Sequence, residues 1–220
     1  MMNWFLLAAL LGALVDWFAV ARAHKPLEYL FKPATMLAVI AAAWVWMQGA
    51  PDAWLARFLI IGFVFSLAGD VFLMLPNPRY FLFGLVAFLL AHLAYIIGLN
   101  PTPPPLVALA LLVPIAMVGT WFIARVVRAL RAAPHTSLVA PVVVYGVVIS
   151  LMLFSAWATL FRPEWTTARR AFIIIGATLF FLSDAMLAWN RFVKPFAAAK
   201  LGVIITYHLG QIALAAAMAT

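Results

Sequence analysis

Apolar residues fill eight runs of the chain, over about 3–21, 33–48, 54–75, 80–99, 104–124, 138–160, 170–189 and 198–219. Each is close to the roughly 20 residues an α-helix needs to cross a bilayer. Transmembrane strands would instead read as alternating segments of about ten residues, and none is seen. Inside lipid a helix satisfies every backbone group within its own segment. The pattern therefore predicts an all-α fold: a polytopic membrane helix bundle of about eight transmembrane helices, one domain over 1–220. Proline supplies the punctuation. Pro33 is expected in the first turn of a short second helix, where its missing N–H would be unpaired anyway. Pro76 and Pro78 should stop the third, and Pro101, Pro103, Pro104 and Pro105 should stiffen the link from the fourth to the fifth. Ala21-Arg22-Ala23 has the small residues of a cleavage site. However, no basic stretch precedes the first run and Asp16 interrupts it, so a retained helix is expected rather than a signal peptide.

Composition agrees. The chain is 68% hydrophobic and 9% charged, against about 25% charged in a soluble domain. A net charge of +8 in a soluble protein would suggest nucleic acid. Here the basic residues lie between apolar runs, as the positive-inside rule requires, and no nucleic-acid partner is implied; the expected surroundings are membrane lipids. The odd-numbered connections hold ten of them: Arg22, Lys25, Lys32, Arg79, Arg125, Arg128, Arg131, Arg191, Lys194 and Lys200. The even-numbered connections hold four: Arg57, Arg162, Arg169 and Arg170. The odd connections should face the cytoplasm of a bacterial inner membrane, with both termini on the other side. Arg125, Arg128 and Arg131 share one helical face, as expected of a helix end reaching lipid headgroups. The chain has no cysteine, which excludes disulfides, zinc thiolates and a cysteine nucleophile. Nothing in the sequence fixes an oligomeric state.

A faint repeat runs through the chain. Ile61-Gly62 through Gly69-Asp70 and Leu73 align with Ile175-Gly176 through Ser183-Asp184 and Leu187 at an offset of 114. Leu85, His92, Leu93 and Ile96 align with Leu201, His208, Leu209 and Ile212 at an offset of 116. This suggests two four-helix halves, 1–110 and 111–220. Four helices is an even number, so the halves would run parallel about an axis along the membrane normal.

Six residues are acidic. Glu28, Asp52 and Glu164 fall in connections, where solvation explains them. Asp16, Asp70 and Asp184 fall inside apolar runs, where a charge costs about 3 kcal/mol on insertion scales and points to function. Asp16 lies nearer its helix end, and pairing with an Arg or Lys of a connection is the plainer reading. Asp70 and Asp184 sit at equivalent positions beside small residues that let helices approach closely. Both lie near the cytoplasmic ends of their helices and could share one cavity. Candidate partners are His92 and Tyr95 in the fourth run, Tyr145 in the sixth, and Tyr207, His208 and Gln211 in the eighth. Lys32, Asn77, Arg79, Asn190 and Arg191 ring the expected cytoplasmic mouth, where Lys32 with Arg79 could hold a phosphate. Two carboxylates in a dry pocket can divide the roles of acid and anion, as in chemistry that passes through an oxocarbenium-like centre. No H-E-x-x-H or G-x-S-x-G motif occurs. His92 and His208 with the two aspartates leave a metal site conceivable, but no metal and no cofactor is expected.

Several motifs carry a resemblance: Lys32-Pro33; Gly69-Asp70-Val-Phe-Leu-Met-Leu; Phe83-Gly84-Leu-x2-Phe88-x2-Ala91-His92-x2-Tyr95; Tyr145-x3-Ile149-Ser-Leu-Met152; Gly176-Ala-x-Leu-Phe-x2-Ser183-Asp184; Asn190-x-Phe192; and Tyr207-x3-Gln211. Together, over about 32–212, they resemble the YhhN-type lysoplasmalogenase family. The resemblance implies an eight-helix membrane hydrolase. It would cleave the vinyl ether bond of a lysophospholipid, a lysoplasmalogen, into a fatty aldehyde and glycerophosphoethanolamine or glycerophosphocholine. Asp70 and Asp184 would then be the catalytic acid and base. His92, Tyr95, Tyr207 and Gln211 would position water and glycerol oxygens, Tyr145 and His208 would join them in the substrate site, and Lys32, Asn77, Arg79 and Asn190 would lie around the headgroup. The buried carboxylates and the repeat also suit a proton-coupled transporter of a lipid or amphiphilic small molecule, although the paired Gly/Pro interruptions of broken transport helices are missing.

Overall fold

The computed structural model describes residues 3–49, 53–132 and 136–220; Asp52 lies outside them. Among the described residues eight helices are long and apolar enough to cross a membrane, and no strand occurs. They are α1 (Trp4–Ala21), α2 (Lys25–Met47), α3 (Ala53–Met74), α4 (Tyr80–Leu99), α5 (Leu112–Ala132), α6 (Val139–Ala158), α7 (Thr167–Ala188) and α8 (Ala199–Ala216). A 3-10 turn over Leu106–Leu111 leads into α5, and a π-turn over Trp189–Val193 continues α7. Arg125, Arg128 and Arg131 lie exposed on the last turns of α5.

Helix α2 departs from the expected boundary. It starts at Lys25, so Pro33 lies inside the helix and Pro26 takes the first turn. The polar stretch ahead of Pro33 hides this start from a hydropathy reading. Locally it is a good helix N-terminus: His24 Nδ1 accepts the Leu27 N–H at 3.3 Å, and Lys25 pairs with Glu28 at 2.6 Å. Pro33 removes one helical donor. The extra turns carry Lys32 about 10 Å along α2, at 1.5 Å per residue, so it reaches the bundle interior rather than a connection.

The most extensive helix pairs are α3 with α4, α7 with α8, and α1 with α2, while α8 also meets α1 and α2. Helices α4 and α8 bury the largest share of their residues and α5 the smallest. Glycine makes two of these approaches possible. A Cβ on Gly62 would stand 2.0 Å from the Tyr95 ring, and one on Gly176 would stand 2.8 Å from the Gly210 carbonyl oxygen. Backbone cannot yield as a side-chain tip can. Gly176→Ala should therefore push α7 from α8 and destabilise the protein by about 1–3 kcal/mol, read as a lower melting temperature in detergent; an unchanged melting temperature would contradict this packing.

Candidate active site

Three helices build a nest around Asp184 and three others around Asp70. Asp70 on α3 is 1% exposed. Its Oδ1 pairs with Lys32 Nζ of α2 at 3.0 Å, and its Oδ2 accepts the Tyr207 hydroxyl of α8 at 2.6 Å. The ammonium therefore compensates a charge that burial would otherwise make very costly. Asp184 on α7 accepts the Tyr145 hydroxyl of α6 at Oδ2, and His92 Nε2 of α4 lies 3.3 Å from the same oxygen. His92 Nε2 is also 3.0 Å from the Tyr145 hydroxyl. Among the described residues Asp184 has no Lys or Arg partner of the kind Lys32 gives Asp70.

Among the described residues the two aspartates share no hydrogen-bond partner. Aromatic rings link their nests: Phe180 packs on His92 at 4.7 Å and on Tyr207 at 5.3 Å, with Phe88 against both Phe180 and Tyr207. Tyr95 and Gln211 form a third, fully buried contact, in which the Tyr95 hydroxyl donates to Gln211 Oε1 at 2.9 Å with Ser66 Oγ at 3.3 Å. This ties α3 and α4 to α8.

An apolar groove of about 790 Å³, its open mouth included, runs between α4, α5, α6 and α7. Asp184 and Tyr145 line it, as does Phe88, while Asp70 does not. Asp184 keeps 12% of its side chain exposed. Arg191, in the π-turn, lies on the same groove.

Of the residues singled out from the sequence, Asp184, Tyr145 and His92 thus come together at the groove, and Asp70, Lys32 and Tyr207 come together behind it. Tyr95 and Gln211 brace the helices. His208 lies towards α1, where its Nδ1 accepts the Trp17 indole N–H at 3.2 Å. Asn77 and Arg79 are exposed; the Asn77 side chain accepts the Arg79 backbone N–H at the start of α4. Asn190 accepts the Phe196 N–H at 3.2 Å and lines a different cavity, beside Val20 and Lys200. Neither Asn77, Arg79 nor Asn190 makes a hydrogen bond to an aspartate of the two nests. Asp16 differs from the expected pairing with a cation of a connection. It is fully buried, among the described residues neither carboxylate oxygen is hydrogen-bonded, and the cation acting most strongly on it is Lys32 within α2. Among the described residues His208 Nε2 and Gln211 Nε2 are likewise buried without a hydrogen-bond partner. Among the described residues no three His, Asp or Glu side chains converge as metal ligands do.

Sequence reasoning missed the Phe88–Phe180 wedge and the placing of Arg191. The one signal for the latter is its position seven residues after Asp184, two helical turns along the same face. Trp17 carried no signal beyond lying next to Asp16.

Comparison with known proteins points one way. The chain is 31% identical over 173 residues to human "Lysoplasmalogenase TMEM86B", covering 78% of this chain and 67% of that protein. It is 30% identical over 205 residues to "Lysoplasmalogenase" of Mycobacterium bovis, covering 88% and 70%. It is 25% identical over 218 residues to "Uncharacterized membrane protein YhhN" of Escherichia coli, covering 96% of each. No solved structure matches. The model of the YhhN family matches residues 27–218. This integral membrane helix bundle belongs to the YhhN family.

Proposed function

We propose that the protein is a membrane hydrolase of vinyl ether lysophospholipids, a lysoplasmalogenase, and that Asp184 is its acid. The observation that carries this reading is a lone groove-facing carboxylate, held by Tyr145 and His92 at the wall of an apolar cleft. A single-chain lipid can lay its tail in such a cleft and bring its ether bond to the carboxyl. The names of the relatives at about 30% identity supply the substrate class.

The chemistry follows in three steps. The Asp184 carboxyl gives its proton to the outer alkene carbon, and the ether oxygen shares the resulting charge as an oxocarbenium ion. The Asp184 carboxylate stabilises that cation and accepts a proton from the water that adds to it. The hemiacetal then collapses: its hydroxyl proton passes to the glycerol oxygen, and fatty aldehyde and glycerophosphate head leave. Tyr145 and His92 hold the carboxyl in place. Asp70, an anion paired with Lys32 behind the aromatic wedge, favours the cation through its field and does not touch substrate.

The same network supports two parallel halves, 1–110 and 111–220. Asp70 is held from α2 and α8, Asp184 from α6 and α4. If α1–α4 repeat as α5–α8, these are equivalent pairs, exchanged across the halves. The face bearing the α3–α4 and α7–α8 connections is proposed to be cytoplasmic, from its excess of Lys and Arg.

The test is purified protein in detergent with a 1-alkenyl lysophosphatidylethanolamine. Aldehyde should appear stoichiometrically with glycerophosphoethanolamine and without any ion gradient. No aldehyde, with gradient-driven uptake of the lipid into vesicles, would favour a carrier instead.

A further inference from the structure

Lys32 was the obvious cation for a lipid phosphate, but its ammonium is committed to Asp70 at 3.0 Å. Arg79 lies exposed at the start of α4, off the groove. Arg191 differs from both. Its guanidinium sits 3.8 Å above the Phe81 ring and 5.8 Å from the Phe192 ring. These contacts use its flat face. Among the described residues it has no carboxylate partner, whereas Lys25, Lys32 and Arg162 each have one. Its backbone belongs to the π-turn, which Trp189 anchors to α5 by stacking on Trp121 and packing at a tilt against Phe122. Such π-turns occur often at functional sites. The result is an aromatic-backed fork of N–H donors on the same groove as Asp184.

We propose that Arg191 is the phosphate anchor of this groove, gripping the headgroup phosphodiester of a single-chain lipid and so setting which bond reaches Asp184. The inference rests on the hydrolase reading for its chemistry but not for its binding. Scale supports it. Seven residues of helix separate Asp184 from Arg191, about 10 Å at 1.5 Å per residue. From the ether oxygen on one end of glycerol to phosphorus on the other is five single bonds, on the order of 6 Å at about 1.5 Å each with zigzag shortening. A hydrogen bond of about 3 Å at either end brings the span to about 12 Å, which the long Arg191 side chain covers from that backbone spacing. Guanidinium matches phosphate in a fork that an ammonium cannot reproduce.

Such an anchor makes the cleft select lysophospholipids over neutral ethers. A phosphate-free 1-alkenylglycerol has the same tail and the same reactive bond, but nothing for Arg191 to hold. The experiment compares parent protein, Arg191→Ala, Arg191→Lys and Arg128→Ala, the last an exposed arginine on α5. Two ligands are titrated in detergent for binding: 1-acyl lysophosphatidylethanolamine, which has no vinyl ether, and monoacylglycerol. Arg191→Ala should weaken lysophosphatidylethanolamine at least tenfold, Arg191→Lys by less, and Arg128→Ala not at all. Monoacylglycerol should bind all four proteins alike. In turnover of 1-alkenyl lysophosphatidylethanolamine, Arg191→Ala should raise KM with kcat nearly unchanged.

Equal weakening of both ligands, or equal loss in Arg128→Ala, would overturn the anchor in favour of packing or general surface charge. Displacement of the lysolipid from the parent protein by inorganic phosphate alone would mark a free-ion site and overturn the headgroup assignment. If no aldehyde forms but Arg191→Ala still loses phosphate-dependent binding, the anchor stands and the hydrolase reading falls.

Discussion

Replacing Asp184 by asparagine lowers kcat for vinyl ether cleavage by about 10²–10⁴-fold, the usual contribution of a positioned general acid or base. The amide keeps the shape of the carboxyl, and its oxygen can still accept the Tyr145 hydroxyl, so the bundle should stay folded and still bind lysolipid. The loss should appear in kcat, with little change in KM, because the proton transfer belongs to the transition state. Tyr145→Phe should cost less, since it loosens the acid without removing it. Near-normal aldehyde release from Asp184→Asn would remove Asp184 from the chemistry. Loss of lysolipid binding together with activity would show a structural role instead.

The second large effect is on stability. Lys32→Met leaves the Asp70 carboxylate buried at 1% exposure with its cation gone. Removing one partner of a buried ion pair costs about 3–5 kcal/mol, because the other charge is left uncompensated. Lys32→Met should therefore melt well below the parent in detergent. Adding Asp70→Asn to it should restore most of the loss, since the Tyr207 hydroxyl then meets a neutral oxygen. A Lys32→Met protein as stable as the parent, or a double variant no better than the single, would contradict the pair. Should Lys32→Met fail to express, recovery of folded protein in the double variant alone still reports the coupling.

Hydropathy placed α1, α3, α4, α6, α7 and α8 within about three residues at each end, because a bilayer demands continuous apolar stretches and little else. It failed at α2, where Lys25, Glu28 and Lys32 occupy helical positions that are capped, paired or turned inward. It also ended α5 at 124, short of the basic turns that run to Ala132, and missed the π-turn that carries the chain on past Arg191 after α7, since charged residues there look like connections. The members of the site were legible for the opposite reason: polar side chains are scarce in these helices, so Asp70, His92, Tyr145, Asp184 and Tyr207 stand out. Their pairing was not legible. Whether Lys32 meets phosphate or Asp70, and whether the aspartates share a cavity or stand on either side of Phe88 and Phe180, depends on the order of helices in space. A one-dimensional pattern does not encode that order. The roles of Asn77, Arg79 and Asn190 were inferred from their nearness to the expected mouth, and helix-start and loop hydrogen bonds occupy Asn77 and Asn190.

The central claim is that an Asp184 proton ends on carbon. Purified protein turning over 1-alkenyl lysophosphatidylethanolamine in deuterium oxide, with the aldehyde trapped as it forms, tests this most directly by mass spectrometry. The mechanism predicts one deuterium on the carbon next to the aldehyde carbonyl, formed at a rate that Asp184→Asn lowers by about 10²–10⁴-fold. Aldehyde without deuterium at that carbon, or labelled aldehyde released equally fast by Asp184→Asn, would contradict it.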